Sequence, residues 1–404
     1  MAICINCMTC EQTMDGVCPV CGKKDEDIHF SRRYLPWRYM LNNRYIVGRS
    51  IGKGGFANTY IAYDKVLRTR VAIKEFYPKD DVERDYYGIS VVPVSEESAA
   101  YFSEQVAKFV DEAGRLARFR SETGVVTVHD IFYENNTSYI VMDYIDGLTL
   151  HAYIKSIDKP MTFDQVMNLM TPMLKTLSRM HESGMVHRDI SPDNIMLTKN
   201  PTRIYLIDFG SAREASPVEG RRTMSVSYKD SYSPPEQYDQ EVKQGPWSDV
   251  YAICATIYRC ITLKMPQGSV VRAIEDELKR PSELGAVITP HQEEVLMKGL
   301  AIKPQNRIQS VKELLNLLKT PSKHGEEHLQ ATPSIKAEAK VNLDTNTKPQ
   351  AGRANNLKSE YEEDLSVTKA PEGTFVEING KKLLPVNKSE YEKDLPVTVS
   401  PTVF

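Results

Sequence analysis

Several features that are common in other classes of protein are missing from this sequence of 404 residues. No run approaches the ~20 consecutive apolar residues that a membrane-spanning helix needs, so we expect no membrane attachment. The net charge of −3 gives no electrostatic reason to expect a nucleic-acid partner. No secretory signal peptide is recognisable at the start, and we therefore expect a cytoplasmic location.

Cysteine is scarce after residue 21, because five of the seven cysteines lie at or before it. Cys4 and Cys7 form one Cys-x-x-Cys pair, and Cys18 and Cys21 form a second pair after ten intervening residues. Paired cysteines on tight turns converge tetrahedrally on Zn²⁺, so residues 1–26 are predicted to form a small zinc ribbon. Such a ribbon has too little apolar material to fold without its metal, and we expect it to serve docking or dimer contact.

Cys10 leaves the first zinc pair open, since Cys7 and Cys10 have the same spacing as Cys4 and Cys7. We favour Cys4 with Cys7, because the longer loop that follows leaves room for a hairpin. A disulfide framework is the competing interpretation, and the expected reducing compartment argues against it. Cys254 and Cys260 lie in an apolar helical segment and are predicted to be buried in the core.

The most informative residues form two motifs in the middle of the chain. Asp189 follows His187 and Arg188, Asn194 lies five residues further on, and Asp208 opens an Asp-Phe-Gly triplet. In phosphoryl transfer, an aspartate placed like Asp189 orients a substrate hydroxyl and takes its proton. Residues placed like Asn194 and Asp208 hold Mg²⁺ against the nucleotide phosphates. This order and spacing indicate a phosphotransferase.

A glycine-rich turn upstream lies between two segments that are predicted to be strands. The turn consists of Gly52, Lys53, Gly54, Gly55, Phe56 and Ala57. Glycine suits a phosphate site because a backbone without Cβ atoms can approach phosphate oxygens closely and present its N–H groups. We predict a hairpin that covers the phosphates.

Lys74 ends a short apolar strand and matches the lysine that reaches the α- and β-phosphates of ATP. Residues 102–119 have apolar side chains at helical spacing and offer Glu112 as a partner for the ammonium group of Lys74. Glu104 is the competing candidate on the same helix. We favour Glu112 because of the Ala113-x-x-Leu116 context that follows it.

With these motifs in order, residues 45–319 resemble a eukaryotic-type (Hanks-type) protein kinase domain, similar to the serine/threonine kinases of Gram-positive bacteria. The resemblance implies a two-lobed α+β fold, with a small β-rich lobe and a large helical lobe. It also implies a dependence on ATP and on Mg²⁺, with Mn²⁺ as a possible substitute. The substrates would be proteins whose serine or threonine hydroxyls accept the γ-phosphoryl group.

The resemblance also implies which residues contact the nucleotide. Met142, Asp143 and Ile145 resemble the hinge between the lobes, where the backbone of the last two would hydrogen-bond adenine. The full set of expected nucleotide contacts is Ile51, Gly52, Gly54, Gly55, Phe56, Ala57, Thr59, Ala72, Lys74, Met142, Asp143 and Ile145.

Three further residues match structural positions of the family. Glu236, in Ser-Pro-Pro-Glu, resembles the end of the activation segment and is expected to pair with Arg307. Asp249 resembles the aspartate that braces the catalytic loop through backbone N–H groups. Taken together, these matches favour a complete kinase domain.

Three residues depart from the family pattern. Ala57 replaces the third glycine of the turn, and Thr59 replaces the valine that usually covers adenine. Ser191 replaces the lysine that steadies the γ-phosphate, which also loosens the assignment to serine/threonine rather than tyrosine kinases. We expect slower nucleotide handling rather than none. Residues 75–100, which precede the helix that bears Glu112, are a further departure and are predicted to form an exposed insertion. A pseudokinase scaffold and a small-molecule phosphotransferase are the alternatives, and the long activation segment speaks against the second.

The segment between Asp208 and Glu236 contains several hydroxyl groups. Arg188 could pair with a phosphorylated residue there and order the segment, since a phosphate adds charge and strong hydrogen-bond acceptors. We predict autophosphorylation at Thr223, Ser225 or Ser227.

The two ends of the predicted kinase domain differ in character. Residues 27–44 are predicted to be a linker that packs against the small lobe. Residues 320–404 have few large apolar side chains and are predicted to be disordered. Within them, residues 358–368 recur as 388–398, which suggests two short peptides for a partner or for the kinase itself, and a duplication without a binding role is the alternative. An Asn-Gly pair between the repeats, at residues 379–380, predicts a short hairpin.

Overall fold

The computed structural model describes residues 3–11, 16–198, 202–209, 231–239 and 242–319, together with two short strands at 376–378 and 381–383. The predicted phosphorylation sites Thr223, Ser225 and Ser227 and both tail repeats lie outside the described residues. The chain divides into two units, Met1–Pro321 and Ser322–Phe404.

The helices and strands follow one another along the chain. They are β1 (Met40–Leu41), β2 (Tyr45–Lys53), β3 (Ala57–Asp64), β4 (Thr69–Phe76), β5 (Val82–Arg84), β6 (Val91–Pro93), α1 (Glu96–Leu116), β7 (Val128–Glu134), β8 (Thr137–Asp143), β9 (Gly147–Thr149), α2 (Leu150–Ser156), α3 (Phe163–Glu182), β10 (Ile195–Thr198), β11 (Ile204–Leu206), α4 (Pro246–Thr262), α5 (Ser269–Ile274), α6 (Pro290–Gly299), α7 (Val311–Lys319), β12 (Val376–Ile378) and β13 (Lys381–Leu383).

The small lobe is built on a six-stranded antiparallel sheet with the order β1-β2-β3-β4-β8-β7. Alternate residues of its central strands are buried in two different hydrophobic cores, one on each face of the sheet, because successive side chains of a strand point to opposite faces. Ala72 and Met142 are paired across β4 and β8 and belong to the core that includes Phe109 of α1. Ile73 and Val141 are also paired and belong to a second core with Leu35 of the linker. The prediction that the linker packs against this lobe is confirmed.

Helix α1 covers the first of these faces. The hydroxyl oxygen of Ser95 accepts a hydrogen bond from the backbone N–H of Ser98, and Glu96 and Glu97 lie in the first turn, where acidic side chains favour the helix dipole. Its buried residues recur at helical spacing, as the sequence predicted. They are Ser98, Tyr101, Phe102, Gln105, Phe109, Ala113 and Leu116.

The expectation of an exposed insertion over residues 75–100 is wrong for most of that stretch. Its first two residues belong to β4, and β5 and β6 then form a small hairpin whose Val82 and Val91 are buried in the main core. The tip is exposed, and Tyr86 and Tyr87 lie against each other there at a ring distance of 5.5 Å. The burial of Val82 and Val91 was not predicted, because charged residues alternate with the apolar ones in this part of the sequence.

The large lobe consists of helices around α4, in which all residues from Ser248 to Thr262 are buried. Cys254 and Cys260 both lie in this core, which confirms their predicted burial. A three-stranded sheet of β9, β10 and β11 carries the loop before β10 to the cleft between the lobes. The predicted two-lobed α+β fold is confirmed.

The N-terminal segment packs directly on strand β2. Ile5 and Met8 are fully buried, and the carbonyl of Ile5 accepts a hydrogen bond from the backbone N–H of Arg49 at 2.9 Å. Gly48 allows this approach, since a Cβ atom there would lie 2.5 Å from Cε of Met8 and 2.7 Å from the carbonyl oxygen of Ile5. The segment therefore forms one body with the small lobe.

In the second unit, β12 and β13 pair in antiparallel fashion, which confirms the predicted hairpin, although the Asn-Gly pair itself lies outside the described residues. Among the helices that the structure describes, none has the length and apolar character needed to span a bilayer.

Candidate active site

The loop before β10 brings two of the predicted catalytic residues together. The amide nitrogen Nδ2 of Asn194 donates hydrogen bonds to the backbone carbonyl of Asp189 at 2.8 Å and to its carboxylate oxygen Oδ2 at 2.9 Å. Arg188 has a φ angle of +66°, a left-handed conformation that is rare for residues with a side chain and clusters at functional sites. The local fold therefore presents the Asp189 carboxylate and the Asn194 amide as one unit.

Asp249 fixes this loop from below. Its carboxylate is fully buried and accepts hydrogen bonds from the backbone N–H groups of His187 and Arg188, both at 2.8 Å. The expected bracing of the catalytic loop is confirmed. The ring nitrogen Nε2 of His181 also lies 2.8 Å from Asp249, a contact that the sequence analysis missed. Although burial opposes ionisation, the contact with His181 and the backbone donors lower the pKa of Asp249.

The buried His187 ring links this loop to the Asp-Phe-Gly triplet. Its Nδ1 accepts the backbone N–H of Asp189 at 3.2 Å, and its Nε2 lies 3.1 Å from the carbonyl oxygen of Ile207. These partners assign the neutral ring with the proton on Nε2. Burial lowers the pKa of His187 and outweighs the opposing charge of Asp249, so the neutral form is favoured. The Phe209 ring packs on His187 with centroids 4.5 Å apart.

Across the cleft, the ammonium group of Lys74 lies 3.1 Å from Oδ1 of Asp208. Burial acts to lower the pKa of Lys74, but the charges of Asp208 and Glu112 outweigh it and the pKa is raised. Lys74 therefore stays a cation at neutral pH. Asp208 has a φ angle of +56°, a second left-handed residue beside the site.

The structure favours Glu112 over Glu104 as the acidic residue near Lys74. Glu112 lines a cavity together with Lys74 and Asp208, whereas Glu104 is exposed on the outer face of α1 and pairs with Lys108 at 3.1 Å. A direct ion pair between Glu112 and Lys74 stays a prediction. The remaining wall of the cavity is apolar and is formed by Phe109, Ala113, Leu116, Val126, Val128, Ile140, Met142 and Phe209.

The glycine-rich turn connects β2 and β3 as predicted. Gly52 pairs with Thr59, and the backbone N–H of Gly54 donates to the carbonyl of Ala57 at 3.0 Å, which closes the turn. The carbonyls of Gly55 and Phe56 accept hydrogen bonds from the backbone of residues 79 and 77. The turn is thus tied to the chain that follows β4.

The predicted hinge residues lie at the end of β8, beside β4. Met142 is buried and pairs with Ala72, and Asp143 pairs with residue 71. The Asp143 backbone N–H donates to the carbonyl of Thr127 at 3.1 Å, and its carboxylate lies 2.7 Å from Nε2 of His129. Neither contact was predicted from the sequence, because both join residues whose proximity depends on the pairing of β7 and β8. Ile145, just beyond the strand, is partly buried against the core.

Of the three departures from the family pattern, Ser191 is fully buried at the start of the short helix Pro192–Asn194. Its carbonyl accepts the backbone N–H of Asn194 at 3.0 Å. Ala57 and Thr59 begin β3, opposite Phe76 and Lys74 of β4. The small side chain of Ala57 is therefore part of a regular ladder rather than a distortion of it.

Glu236 and Arg307 form the expected pair in the large lobe. Their side chains are almost completely buried, and the two guanidinium nitrogens lie 2.6 and 3.2 Å from the carboxylate oxygens. The hydroxyl of Ser248 donates to the same carboxylate at 2.9 Å, and the Arg307 guanidinium lies 5.0 Å from the ring centre of Tyr251. The sequence prediction is confirmed.

The thiols of Cys4, Cys7, Cys18 and Cys21 form a cluster in which all four sulfur atoms lie within 4.8 Å of one another. The sulfur atoms of Cys4 and Cys21 are 3.7 Å apart, and those of Cys7 and Cys18 are 3.6 Å apart. A tetrahedron with Zn–S bonds of ~2.3 Å has edges of about 3.8 Å, so the cluster has the dimensions of a four-thiolate zinc site.

Cys10 lies at the edge of this cluster, with its sulfur 3.3 Å from that of Cys18. Burial acts to raise the pKa of Cys18, but hydrogen bonds from the backbone N–H groups of Cys21 and Val20 outweigh it and the pKa falls to about 6. Burial raises the pKa of Cys10 to about 11. A thiol that ionises at neutral pH is a good ligand for a metal cation, because the thiolate is the form that binds metal, and three other thiols lie close to it.

Comparison with known proteins agrees with this geometry. The family model for the protein kinase domain matches residues 45–319. A probable serine/threonine-protein kinase of Clostridium acetobutylicum is 31% identical over 285 residues, which cover 69% of this chain and 40% of the relative. The serine/threonine-protein kinase PrkC of Bacillus subtilis is 27% identical over 286 residues, which cover 69% of this chain and 41% of that protein. The matched region thus spans about two fifths of the length of these relatives.

Among solved structures, the apo form of PpkA-294 is similar, with a TM-score of 0.61 and 33% identity over 71% of this chain and all of that one. The PknI kinase domain of Mycobacterium tuberculosis has a TM-score of 0.52 and 22% identity, and it covers 70% of this chain and 98% of its own. The second likeness supports the fold alone.

Proposed function

The chain belongs to the protein kinase domain family, and from this premise we propose that it transfers the γ-phosphoryl group of ATP to serine or threonine hydroxyls of proteins. The contact between Lys74 and Asp208, made opposite the Asp189–Asn194 unit, is the observation that supports this proposal most strongly. These are the four groups on which phosphoryl transfer depends. The relatives named as serine/threonine kinases support the choice of hydroxyl.

Each group has a distinct part in the proposed reaction. Asp189 orients the substrate hydroxyl and accepts its proton, and Lys74 positions the α- and β-phosphates. Membership of the family implies ATP and Mg²⁺, and the metal, which Mn²⁺ could replace, neutralises charge on the phosphates. The carboxylate of Asp208 and the amide oxygen of Asn194 are the hard oxygen ligands that Mg²⁺ prefers.

The nucleotide would lie between the turn and the hinge. Residues 52–57 cover the phosphates, Ile51, Thr59, Ala72 and Met142 border the adenine, and the hinge backbone at Asp143 and Ile145 recognises its edge. Because the Asp143 N–H already donates to Thr127, its carbonyl is the group that we assign to adenine.

A radiolabel assay with Mg²⁺-ATP and a generic basic acceptor protein tests the proposed activity. Wild-type protein should label the acceptor, and Asp208→Asn should lose at least about 100-fold, since the metal ligand is gone. Asp111→Asn is the matched control, because Asp111 is an exposed carboxylate on α1 that pairs with Arg115. Equal activity of Asp208→Asn and wild type would reject the mechanism.

The scaffold alternative, a pseudokinase that only binds nucleotide, is not favoured. Ala57, Thr59 and Ser191 were the residues that suggested it, and each of them lies in regular secondary structure or at its start. Lys74 and Asp208 remain in contact. Wild-type protein that binds Mg²⁺-ATP without transferring phosphate would restore this alternative.

We also propose that Zn²⁺ is bound by the thiolates of Cys4, Cys7, Cys18 and Cys21. The dimensions of the cluster support this set over one that contains Cys10. Elemental analysis should give about one zinc per chain in the wild type and in Cys10→Ser, and much less in Cys4→Ser. Loss of metal in Cys10→Ser with retention in Cys4→Ser would reverse the assignment. Reduced thiols suit a cytoplasmic location, which we propose on this ground.

Autophosphorylation remains a proposal for residues outside the described part of the chain. We propose that Thr223, Ser225 or Ser227 accepts phosphate and that Arg188 pairs with it. Mass spectrometry after incubation with Mg²⁺-ATP should find phosphate between residues 211 and 232. Phosphate found only elsewhere would contradict the proposal.

For partners, we propose protein substrates, and docking or self-association through the zinc ribbon or the tail, with neither nucleic acid nor membrane. Sedimentation of the full chain and of a form ending at residue 319 would test the tail. A tail that supports self-association should leave the shorter form at a smaller mass, and identical masses would count against it.

A further inference from the structure

Arg33, in the linker before the kinase domain, reaches across to the glycine-rich hairpin. Its Nη2 donates to the carbonyl oxygen of Gly54 at 2.6 Å, and its Nε donates to Oδ1 of Asn58 at 2.6 Å. These two acceptors lie on either side of the turn at residues 55–57. One guanidinium group therefore holds both sides of the phosphate-covering turn at a fixed separation, a task that suits its planar fork of donors.

This contact lies on the face of the sheet opposite to the cleft. Thr59 pairs with Lys74 and Asn58 pairs with Glu75, and paired residues share a face. Because Lys74 points into the cleft, Asn58 and Glu75 point away from it. Arg33 thus acts on the turn from behind, without access to the nucleotide.

The bond to Gly54 nevertheless affects the cleft side through the peptide plane. In a trans peptide, the carbonyl of one residue and the N–H of the next point in opposite directions. Since Arg33 holds the Gly54 carbonyl on the rear face, the N–H of Gly55 is directed toward the Lys74 face. Backbone N–H groups with that orientation are the donors that cradle phosphate oxygens.

Arg33 is itself held in place by buried groups. Its backbone carbonyl accepts a hydrogen bond from Nε of Arg84 at 3.0 Å, and both guanidinium groups lie near the ring of Tyr77, at 5.4 and 5.0 Å from its centre. Arg84 in turn pairs at 2.5 Å with Glu75, whose carboxylate is fully buried. The arrangement is preorganised, so little side-chain entropy is lost when Arg33 holds the turn.

We propose that Arg33 is a positioning residue for the phosphates of ATP, which it orients through the backbone of Gly54 and the side chain of Asn58. This inference rests on the proposed kinase function. It adds a residue outside the matched domain, since residue 33 precedes the region 45–319. The linker then contributes to nucleotide binding, although none of its residues contacts the nucleotide.

The test compares nucleotides with and without phosphates. The dissociation constants of Mg²⁺-ATP and of adenosine are measured by calorimetry on the full chain for wild type, Arg33→Ala, Arg33→Lys and the control Arg32→Ala, whose side chain is exposed. Arg33→Ala should weaken Mg²⁺-ATP binding by about tenfold, the size expected for losing a charge-assisted hydrogen bond, and should leave adenosine binding unchanged. The KM for ATP should rise with little change in kcat. Arg33→Lys should be intermediate, because an ammonium is a point charge without the fork.

The possible outcomes separate this inference from the proposed function. Unchanged Mg²⁺-ATP affinity in Arg33→Ala would overturn the positioning role, and so would an equal loss of adenosine affinity, which would show a general structural effect. If Arg33→Ala does not fold, the affinities of Arg33→Lys for Mg²⁺-ATP and for adenosine test the positioning role in the same way. Wild-type protein that binds no Mg²⁺-ATP would instead reject the proposed function itself.

Discussion

At the scale of single residues, the neutral state of His187 holds the catalytic loop in its observed geometry. The Nδ1 atom of His187 accepts the N–H of Asp189, and a proton on that nitrogen would remove the acceptor. Burial, which lowers the pKa of His187, protects the neutral ring. The same residue therefore links the pH of the solution to the position of Asp189.

His187 predicts a particular dependence of stability on pH. Its folded pKa is below the unfolded value of 6.5, so the unfolded chain binds the proton more readily. The contribution of His187 is complete above pH 6.5 and is lost as the pH falls toward the folded pKa. Urea denaturation at pH 7.5 and 5.5 should show a smaller drop in the free energy of unfolding for His187→Asn than for wild type. Equal drops would contradict the prediction.

The buried pair of Glu75 and Arg84 predicts a large loss of stability when it is broken. Glu75→Ala leaves the Arg84 charge buried without its counter-ion, and we expect the free energy of unfolding to fall by about 3–5 kcal/mol. Glu104→Ala is the control, since Glu104 is exposed and pairs with Lys108 on one helix face, a pair worth at most about 0.5 kcal/mol. Urea denaturation at pH 7 measures both. A loss below about 1 kcal/mol for Glu75→Ala would show that water reaches Arg84.

At the scale of elements, the N-terminal segment and strand β2 are in close contact at Gly48. Gly48 has no space for a side chain, because a Cβ atom would lie within 3 Å of Met8, Ile5 and Ile61. Two of these three neighbours are backbone carbonyl oxygens, which cannot rotate away as the end of a side chain could. The absence of a Cβ atom at one position thus decides whether the two elements can touch.

We predict that Gly48→Ala loosens the N-terminal segment from β2. The free energy of unfolding should fall by about 1–3 kcal/mol, the usual cost of overpacking. Gly114→Ala is the contrasting variant, because no atom lies within 4 Å of a Cβ there and the residue is exposed within α1. It should raise the free energy of unfolding by about 0.5–1 kcal/mol through helix propensity. Thermal unfolding followed by circular dichroism would detect the loss of stability in Gly48→Ala and the gain in Gly114→Ala. Similar changes in stability for the two variants would refute the steric argument.

At the scale of the whole molecule, the N-terminal segment and the small lobe share buried surface. Ile5 and Met8 are completely buried, and Arg49 donates to Oδ1 of Asn6 at 2.7 Å. The amide nitrogen of Asn6 in turn lies 3.3 Å from the sulfur of Cys21. The proposed metal site is therefore connected to β2 by a short series of polar contacts.

Removal of metal is expected to destabilise more than the ribbon. Without its ion the segment should unfold and release Ile5 and Met8, each worth about 1.5–3 kcal/mol of burial. Calorimetry should show a fall in Tm of at least about 5 °C after treatment with a zinc chelator. Cys4→Ser, which should already lack the metal, serves as the control and should show no further fall. An unchanged Tm in the wild type would mean that the segment folds without metal.

The sequence alone determined those functional groups whose members lie only a few residues apart in the chain. Asp189 and Asn194 are five residues apart in a single loop, so their proximity follows from local geometry. The paired cysteines and the hairpin of β12 and β13 were predictable for the same reason, as were the strands around the glycine-rich turn. The matches at Glu236 and Arg307 required a family resemblance, because 71 residues separate them.

Only the tertiary structure decided how distant charges are neutralised. The contacts of Arg33 with Gly54, of Arg84 with Glu75 and of His181 with Asp249 depend on which faces of strands and helices meet. The spacing of residues along the sequence does not predict these contacts, since a charged side chain is most often solvated. It needs a specific partner only where packing buries it. The residue types were fixed by the sequence, and the partners were fixed by the packing that excludes water from them.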